Sequence, residues 1–194
     1  IIYVLILCFL ALIVLLNFNI FTIALALGSM PLAFTYPLMK RFTYWPQLFL
    51  GITFNYGLIL GWTAISGQLN VIPIIFYFGA IFWTLGYDTI YGYQDVKDDE
   101  IIGLKSTSIK FKDKSKIFLF ICYSVLILTL ILGGYLMNFS SLYFLFLTIP
   151  IIHLFYYQIR LFNSKSSTIC LKLFKSNNLF GLIIFLNILL GKFY

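Results

Sequence analysis

The chain has 194 residues, of which 62% are hydrophobic and 20% aromatic, while only 10% are charged and the net charge is +7. Soluble domains carry about 25% charged and about 45–50% apolar residues. Folding of a chain this long buries about 70% of its surface, and the remaining surface could not stay in water at this composition. The composition excludes a soluble globular protein, a disordered chain and a nucleic-acid-binding domain, and it predicts an integral membrane protein.

Seven apolar runs follow one another along the chain, most of them near the roughly 20 residues that a helix needs to cross a bilayer. The runs are 1–16, 19–36, 46–65, 71–87, 117–137, 142–158 and 179–193. They are continuous and show no alternation of apolar and polar residues, which excludes a transmembrane barrel of strands. A segment in lipid can satisfy its own backbone hydrogen bonds as a helix. The sequence therefore predicts an all-α, multi-pass bundle with about seven transmembrane helices.

The lysines and arginines gather in alternate loops between these runs. Loops 37–45, 88–116 and 159–178 carry two, six and four of them, which makes 12 of the 13 in the chain. Basic loops stay on the cytoplasmic side of a membrane. The three loops are therefore predicted to share the cytoplasmic face.

All six acidic residues lie within one stretch of 26 residues, from Asp88 to Asp113. If the helix of residues 71–87 continues beyond the membrane at 100° per residue, Asp95 and Asp99 lie within about 20° of the direction of Asp88. Like charges four residues apart repel one another in a free helix, and a divalent cation between them would offset that cost. Mg²⁺ prefers one or two carboxylates together with water and phosphate oxygens. The pattern favours a Mg²⁺ site, and the alternative is a solvated acidic loop beside its own lysines.

Two segments of the chain carry longer motifs. The first runs through residues 36–51 and contains Lys40-Arg41 and, a few residues later, Trp45-Pro46-Gln47. The second reads W-T-L-G-Y-D-T-I-Y-G-Y-Q-D-V-K-D-D over residues 83–99 and continues to G-L-K-S-T at 103–107. Together they resemble the UbiA superfamily of intramembrane aromatic prenyltransferases, and the resemblance covers essentially the whole chain. Asp95 and Asp99 look like the D-x-x-x-D pair of that family's second aspartate-rich motif.

The resemblance implies a bundle of nine transmembrane helices around a central cavity, of which the seven runs here would be helices three to nine. The family's first aspartate-rich motif, N-D-x-x-D, does not occur in this sequence, and Ile1 already lies inside an apolar run. We therefore expect residues 1–194 to form one domain that lacks the first two helices. Those helices would have to be supplied in the same chain or by a partner.

The resemblance also implies an activity, the transfer of a polyprenyl group from its diphosphate to the ring of 4-hydroxybenzoate in ubiquinone biosynthesis. The expected location is a bacterial inner membrane, with the charged loops on the cytoplasmic side, and the expected cofactor is Mg²⁺. The implied catalytic residues are Asp88, Asp95 and Asp99, of which Asp95 and Asp99 would hold the metal. The implied substrate-binding residues are Lys40, Arg41, Tyr87, Tyr91 and Lys105. A guanidinium suits bidentate contacts with diphosphate, and the aromatic faces of Trp83, Tyr87 and Tyr91 could stabilise an allylic cation.

Other interpretations stay open on the sequence alone. The acceptor could be dihydroxynaphthoate or homogentisate, and neither the prenyl chain length nor the oligomeric state can be read from the residues. The chain could instead be a non-enzymatic multi-pass transporter that attracts cations, or an inactive truncated copy. His153 lies in an apolar run without a carboxylate or cysteine nearby in sequence. It is expected to be a packed or hydrogen-bonded histidine of the interior.

Overall fold

A computed structural model describes residues 2–193, so Ile1 and Tyr194 of the predicted domain lie outside the described residues. Within that range the protein is built of helices joined by short turns, and it contains no strand. The α-helices are α1 (Ile2–Leu15), α2 (Ile20–Thr35), α3 (Met39–Phe42), α4 (Pro46–Phe54), α5 (Tyr56–Ser66), α6 (Val71–Gly92), α7 (Val96–Ile101), α8 (Thr107–Lys110), α9 (Ser115–Leu136), α10 (Ser141–Phe146), α11 (Thr148–Ile151) and α12 (Ser167–Phe193). Two 3₁₀ turns and one π-helical stretch complete them, at Tyr36–Leu38, Lys112–Lys114 and Ile152–Ile159.

Six helical stretches of the described chain are long and apolar enough to cross a membrane. They are Ile20–Phe42, Pro46–Ser66, Val71–Gly92, Lys112–Leu136, Ser141–Ile159 and Ser167–Lys192. Helix α1 is apolar as well, but its 14 residues are fewer than the roughly 20 that a spanning helix needs. The prediction of an all-α, multi-pass membrane protein is confirmed, and six of the seven predicted spans reach the required length.

The last helix begins earlier than the apolar pattern predicts. The predicted run starts at residue 179, whereas α12 starts at Ser167 and includes Lys172 and Lys175. Both lysines are exposed. A lysine can lay its aliphatic stem along a helix while its ammonium group reaches water. These two lysines therefore interrupt the apolar pattern without interrupting the helix.

Helix α6 continues beyond its predicted end at residue 87, but it ends before Asp95 and Asp99. It ends at Gly92, and the N–H of Asp95 donates to the Gly92 carbonyl in the tight turn that follows, at 3.2 Å. Tyr93 is buried in this turn and packs against Phe162, with ring centroids 5.2 Å apart. Burial raises the pKa of the Tyr93 phenol above its usual value. The prediction of one unbroken helix that carries three aspartates on a common face is wrong, because this tertiary contact stabilises a turn before α7.

Helix α6 is the central helix of the bundle. It packs most extensively against α9 and also contacts α4, α5 and α12. Two glycines permit the close approach to α9: a Cβ on Gly86 would lie 2.6 Å from the Tyr123 ring, and a Cβ on Gly79 would collide with Thr129. Helices in lipid associate largely through such packing, because lipid tails are as apolar as leucine. The position of α6, and of any site along it, is therefore determined by several neighbours.

Candidate active site

A cavity of about 330 Å³ lies where α6 ends; we call it the acidic cavity. Three parts of the chain form its walls: α3 with the segment that joins it to α2, the start of α4, and the end of α6 with the residues after it. The lining residues are Tyr36, Pro37 and Lys40, then Pro46, Gln47 and Leu50, then Asp88, Tyr91, Gly92 and Asp95. Two carboxylates and one ammonium group therefore line a single small cavity.

The loop after α7, in which we include Thr107 and Ser108 at the start of α8, holds the three walls of the acidic cavity together. The N–H of Thr107 donates to Oε1 of Gln47 at 3.0 Å, and the N–H of Lys105 donates to the Lys40 carbonyl at 2.8 Å. The hydroxyls of Thr89 and Thr107 form a further hydrogen bond of 2.6 Å in the interior. Each wall receives one of these bonds, so the loop fixes the position of α3, α4 and α6 relative to one another.

Gly92 is needed for the packing of this loop. The hydroxyl of Ser108 donates to the Thr89 carbonyl at 2.8 Å and lies directly against Gly92, where a Cβ would collide with it. The same Cβ would lie 3.3 Å from Nε2 of Gln47. The space left by the missing side chain of Gly92 is thus filled by residues of the protein itself.

Lys40 connects the acidic cavity to the third predicted aspartate. Its Nζ lies 3.1 Å from Oδ2 of Asp99, whose side chain is 7% exposed, while the Lys40 side chain is 41% exposed. Asp99 itself does not line the cavity. The structure therefore brings Asp88 and Asp95 to one cavity and holds Asp99 beside it, in an ion pair.

The five predicted substrate-binding residues are separated by the structure. Lys40 and Tyr91 line the acidic cavity, whereas Tyr87 is half-buried one turn earlier on α6. Arg41 is exposed and lies outside the lining. The ammonium group of Lys105 donates to the carbonyl of the last residue of α3 at 3.3 Å, so this lysine contacts α3 and not the cavity.

Gln47 is a buried polar residue of this site for which the sequence motifs indicate no role. It is 3% exposed, lines the cavity and accepts the hydrogen bond from the loop described above. A signal was available, because a polar side chain in the first turn of a membrane span is costly to bury unless it is hydrogen-bonded. Its partner, however, lies 60 residues away in sequence.

A second cavity of about 430 Å³, which we call the apolar cavity, lies along α6, on residues that precede those lining the acidic cavity. Phe76, Ala80 and Trp83 of α6 line it, together with apolar side chains of α5, α9 and α12. Asn55, a polar residue of the lining, donates its amide to the Gly51 carbonyl at 2.8 Å. A cavity of this kind suits a hydrocarbon ligand.

The carboxylates of the acidic cavity fit a hard divalent cation. Mg²⁺ is usually bound through one or two carboxylates together with water and substrate phosphates, and Asp88 and Asp95 offer two carboxylates. Across residues 2–193, no group of three or more His, Cys, Asp or Glu side chains is arranged to hold a metal. A complete coordination shell would therefore need oxygen atoms from water or from a phosphate ligand.

Residues 1–189 match the model of the UbiA prenyltransferase family. The chain belongs to this family. The resemblance that the two motif segments indicate is therefore confirmed. Similar proteins include 4-hydroxybenzoate geranyltransferase 2 of Lithospermum erythrorhizon, which is 44% identical over 189 residues. The mitochondrial 4-hydroxybenzoate polyprenyltransferases of Bos taurus and Homo sapiens are 45% and 44% identical over 184 and 186 residues.

These alignments cover nearly all of this chain but a much smaller share of each relative. They cover 96%, 94% and 95% of this chain, but only 61%, 49% and 50% of the three relatives. The chain thus spans about half to three fifths of the length of these UbiA family members. No solved structure matches the chain.

Proposed function

We propose that the chain carries part of the active site of a Mg²⁺-dependent prenyltransferase, which moves a polyprenyl group from its diphosphate to the ring of 4-hydroxybenzoate in ubiquinone biosynthesis. The main support is one geometric observation: α6 carries the acidic cavity at its end and the apolar cavity along its length. A polyprenyl diphosphate has the same two parts, a charged head and a hydrocarbon tail. The acceptor in this proposal is taken from the names of the similar proteins.

The proposed metal ligands are the carboxylates of the acidic cavity. Mg²⁺ bound there would neutralise the negative charge that develops on the departing diphosphate. Asp88 and Asp95 both line the cavity. Asp99, the other member of the D-x-x-x-D pair, lies outside the lining of the cavity, and its Oδ2 forms an ion pair with Lys40. In the proposal, Asp99 holds Lys40 at the wall of the cavity.

Lys40 and Tyr91 are the proposed contacts for the substrate head. The ammonium group of Lys40 can donate charge-assisted hydrogen bonds to diphosphate oxygens. The ring of Tyr91 can stabilise an allylic cation by its negative face. Arg41 and Lys105 lie outside the cavity, and their proposed role is to attract the diphosphate to this face of the membrane.

The proposed location is an inner membrane, with the basic loops on its inner face. The family resemblance of the two motif segments implies a bacterial membrane, whereas the Bos taurus and Homo sapiens relatives are named mitochondrial. Separation of membranes from the source organism, followed by detection of the chain with an antibody, distinguishes the two compartments. Protease cleavage within residues 93–114, the part of the basic loop that follows α6, then tests in sealed vesicles which side of the membrane this loop occupies.

The activity is tested in proteoliposomes that contain Mg²⁺, geranyl diphosphate and isotopically labelled 4-hydroxybenzoate. Because the relatives are longer than this chain, the chain is assayed alone and together with the portion of the Lithospermum erythrorhizon relative that it does not cover. Mass spectrometry should detect a prenylated product, and chelation of Mg²⁺ should abolish its formation. Absence of product in both arms would contradict the proposal.

The site assignment is tested by removing one charge at a time. Asp88→Asn and Asp95→Asn should each abolish transfer while the helical content is retained. Asp98→Asn is the matched control, because Asp98 belongs to the same acidic stretch, is exposed and does not line the cavity. Normal turnover by Asp95→Asn would refute the proposed metal site.

A further inference from the structure

The aromatic face of α6, which consists of Trp83, Tyr87 and Tyr91, lies between the two cavities. These residues are spaced four apart and therefore share one side of the helix. Trp83 lines the apolar cavity and Tyr91 lines the acidic cavity, about 12 Å apart along the helix axis. The rings of Trp83 and Tyr87 form an edge contact with centroids 5.4 Å apart. Of the α6 residues in the apolar cavity, Trp83 is thus the nearest to the proposed reaction site.

A buried side chain of α12 holds the indole of Trp83. The indole N–H donates to Oδ1 of Asn177 at 2.9 Å, and Asn177 is only 7% exposed. The amide nitrogen of Asn177 donates to the carbonyls of Leu173 and Phe174, both at 3.1 Å. These two bonds fix the plane of the carboxamide and direct its oxygen towards α6. A buried indole N–H usually requires a partner, and Asn177 provides it.

Asn177 is in turn held by the π-helical stretch and by α9. Gln158, which is fully buried, donates to Oδ1 of Asn177 at 3.1 Å and accepts a hydrogen bond from the hydroxyl of Tyr123. Its amide nitrogen also lies 3.1 Å from Nε2 of His153, so the prediction of a hydrogen-bonded histidine is confirmed, although this side chain is half-buried and does not belong to the buried core. Residues five apart differ by about 140° in an α-helix, whereas i→i+5 hydrogen bonds of a π-helix bring such residues together. The π-helical stretch therefore allows His153 and Gln158 to form a hydrogen bond with one another.

The far edge of the Trp83 indole rests against α12. A Cβ on Gly181 would lie 3.4 Å from Cη2 of Trp83, and the ring of Phe180 is 5.0 Å away between centroids. The indole is thus hydrogen-bonded at its N–H and packed along one edge against α12. The side chain also lines the apolar cavity, which leaves free space next to it. An indole that lost its hydrogen bond would have room to turn in that direction.

We propose that Asn177 is a positioning residue: by holding Trp83 against α12, it determines how much of the apolar cavity is open to an isoprenoid chain, and hence which chain lengths are used. This inference rests on the proposed function, which supplies the isoprenoid chain as the occupant. Asn177 does not line the cavity, so it acts through the indole. A Trp83 released into the cavity penalises long chains more than short ones.

The position of the indole is measured first, without reference to activity. Trp45→Phe and Trp62→Phe leave Trp83 as the remaining tryptophan of the three in the chain, and this reference protein is reconstituted in lipid nanodiscs. Asn177→Leu should abolish the near-ultraviolet circular dichroism of Trp83 and shift its fluorescence to shorter wavelength. Asn187→Leu is the matched control, because Asn187 is buried on the same helix and donates to the Tyr143 carbonyl at 3.2 Å. This control should leave both signals unchanged.

Chain-length preference is measured next, as kcat/KM for octaprenyl diphosphate relative to geranyl diphosphate, in the preparation that transfers prenyl groups. Asn177→Leu should lower this ratio about fivefold, the size of effect that one neutral hydrogen bond carries, through KM for the long chain. The double variant with Trp83→Phe should have the ratio of Trp83→Phe alone, because the effect of Asn177 passes through the indole. An unchanged ratio, or an equal loss of kcat for both substrates, would overturn the inference.

A separate arm distinguishes this inference from the proposed function. If no preparation transfers a prenyl group, the reference protein is titrated with octaprenyl diphosphate while Trp83 fluorescence is recorded. A fluorescence change with about fivefold weaker affinity in Asn177→Leu would support the inference although the transfer reaction had failed. Fluorescence that does not respond to the long-chain diphosphate would refute it.

Discussion

Breaking the ion pair between Lys40 and Asp99 from its two ends should give unequal losses of stability. The charges are 3.1 Å apart, and the Asp99 side chain is 7% exposed while that of Lys40 is 41% exposed. Lys40→Met leaves a buried carboxylate without its partner, whereas Asp99→Asn leaves an ammonium group that can turn to water. The larger loss is therefore expected from the change at Lys40.

The magnitudes follow from the exposure of each partner. Loss of one partner from a fully buried pair costs about 3–5 kcal/mol, and the solvent around Lys40 reduces the expected cost of Lys40→Met to about 2–3 kcal/mol. Asp99→Asn should cost about 1 kcal/mol, as for an exposed pair. The double variant should resemble Asp99→Asn, because no uncompensated buried charge is left.

The free energy of unfolding is measured by titration with sodium dodecyl sulfate in mixed micelles, followed by circular dichroism. Lys112→Met is the control, because its ion pair with Glu100 has side chains 54% and 40% exposed and should contribute about 0.5 kcal/mol or less. If Asp99→Asn costs as much as Lys40→Met, or if the two costs add in the double variant, the argument from burial is refuted.

Three further predictions use the same unfolding titration. Gln47→Leu removes the acceptor of a buried backbone N–H in the loop after α7 and should cost about 1–3 kcal/mol; a cost near zero would mean that this loop is not fixed by α4. Gly134→Ala places a Cβ against a tyrosine ring of α10 and should cost about 1–3 kcal/mol, whereas Gly28→Ala, with nothing within 4 Å, should not destabilise. Pyrophosphate with Mg²⁺ should stabilise the protein by about 2.7 kcal/mol at a hundredfold excess over Kd. This gain should disappear in Asp95→Asn and persist in Asp98→Asn, and its persistence in both would exclude Asp95 as a ligand.

Much of the architecture could be predicted because membrane insertion depends on local composition. A run of about 20 apolar residues is sufficient to identify a spanning helix, and six of the predicted spans are long enough in the structure. The errors occur where the local pattern misleads. Lys172 and Lys175 interrupt the apolar pattern over the first turns of α12, so the predicted start of this helix is too late. The helix tolerates them because a lysine near the end of a membrane helix can reach water with its ammonium group.

The sequence by itself determined the membrane class, the family and the stretch that carries the aspartates, since each of these depends on residues that are close together in the chain. The tertiary structure decided which of those residues meet. Tyr93 packs against Phe162, and α6 ends at Gly92 next to this contact. Lys40 binds Asp99 across 59 positions, and Trp83 binds Asn177 across 94. Helical periodicity extends only as far as the helix itself, so contacts between helices are determined by packing and hydrogen bonding in the folded chain.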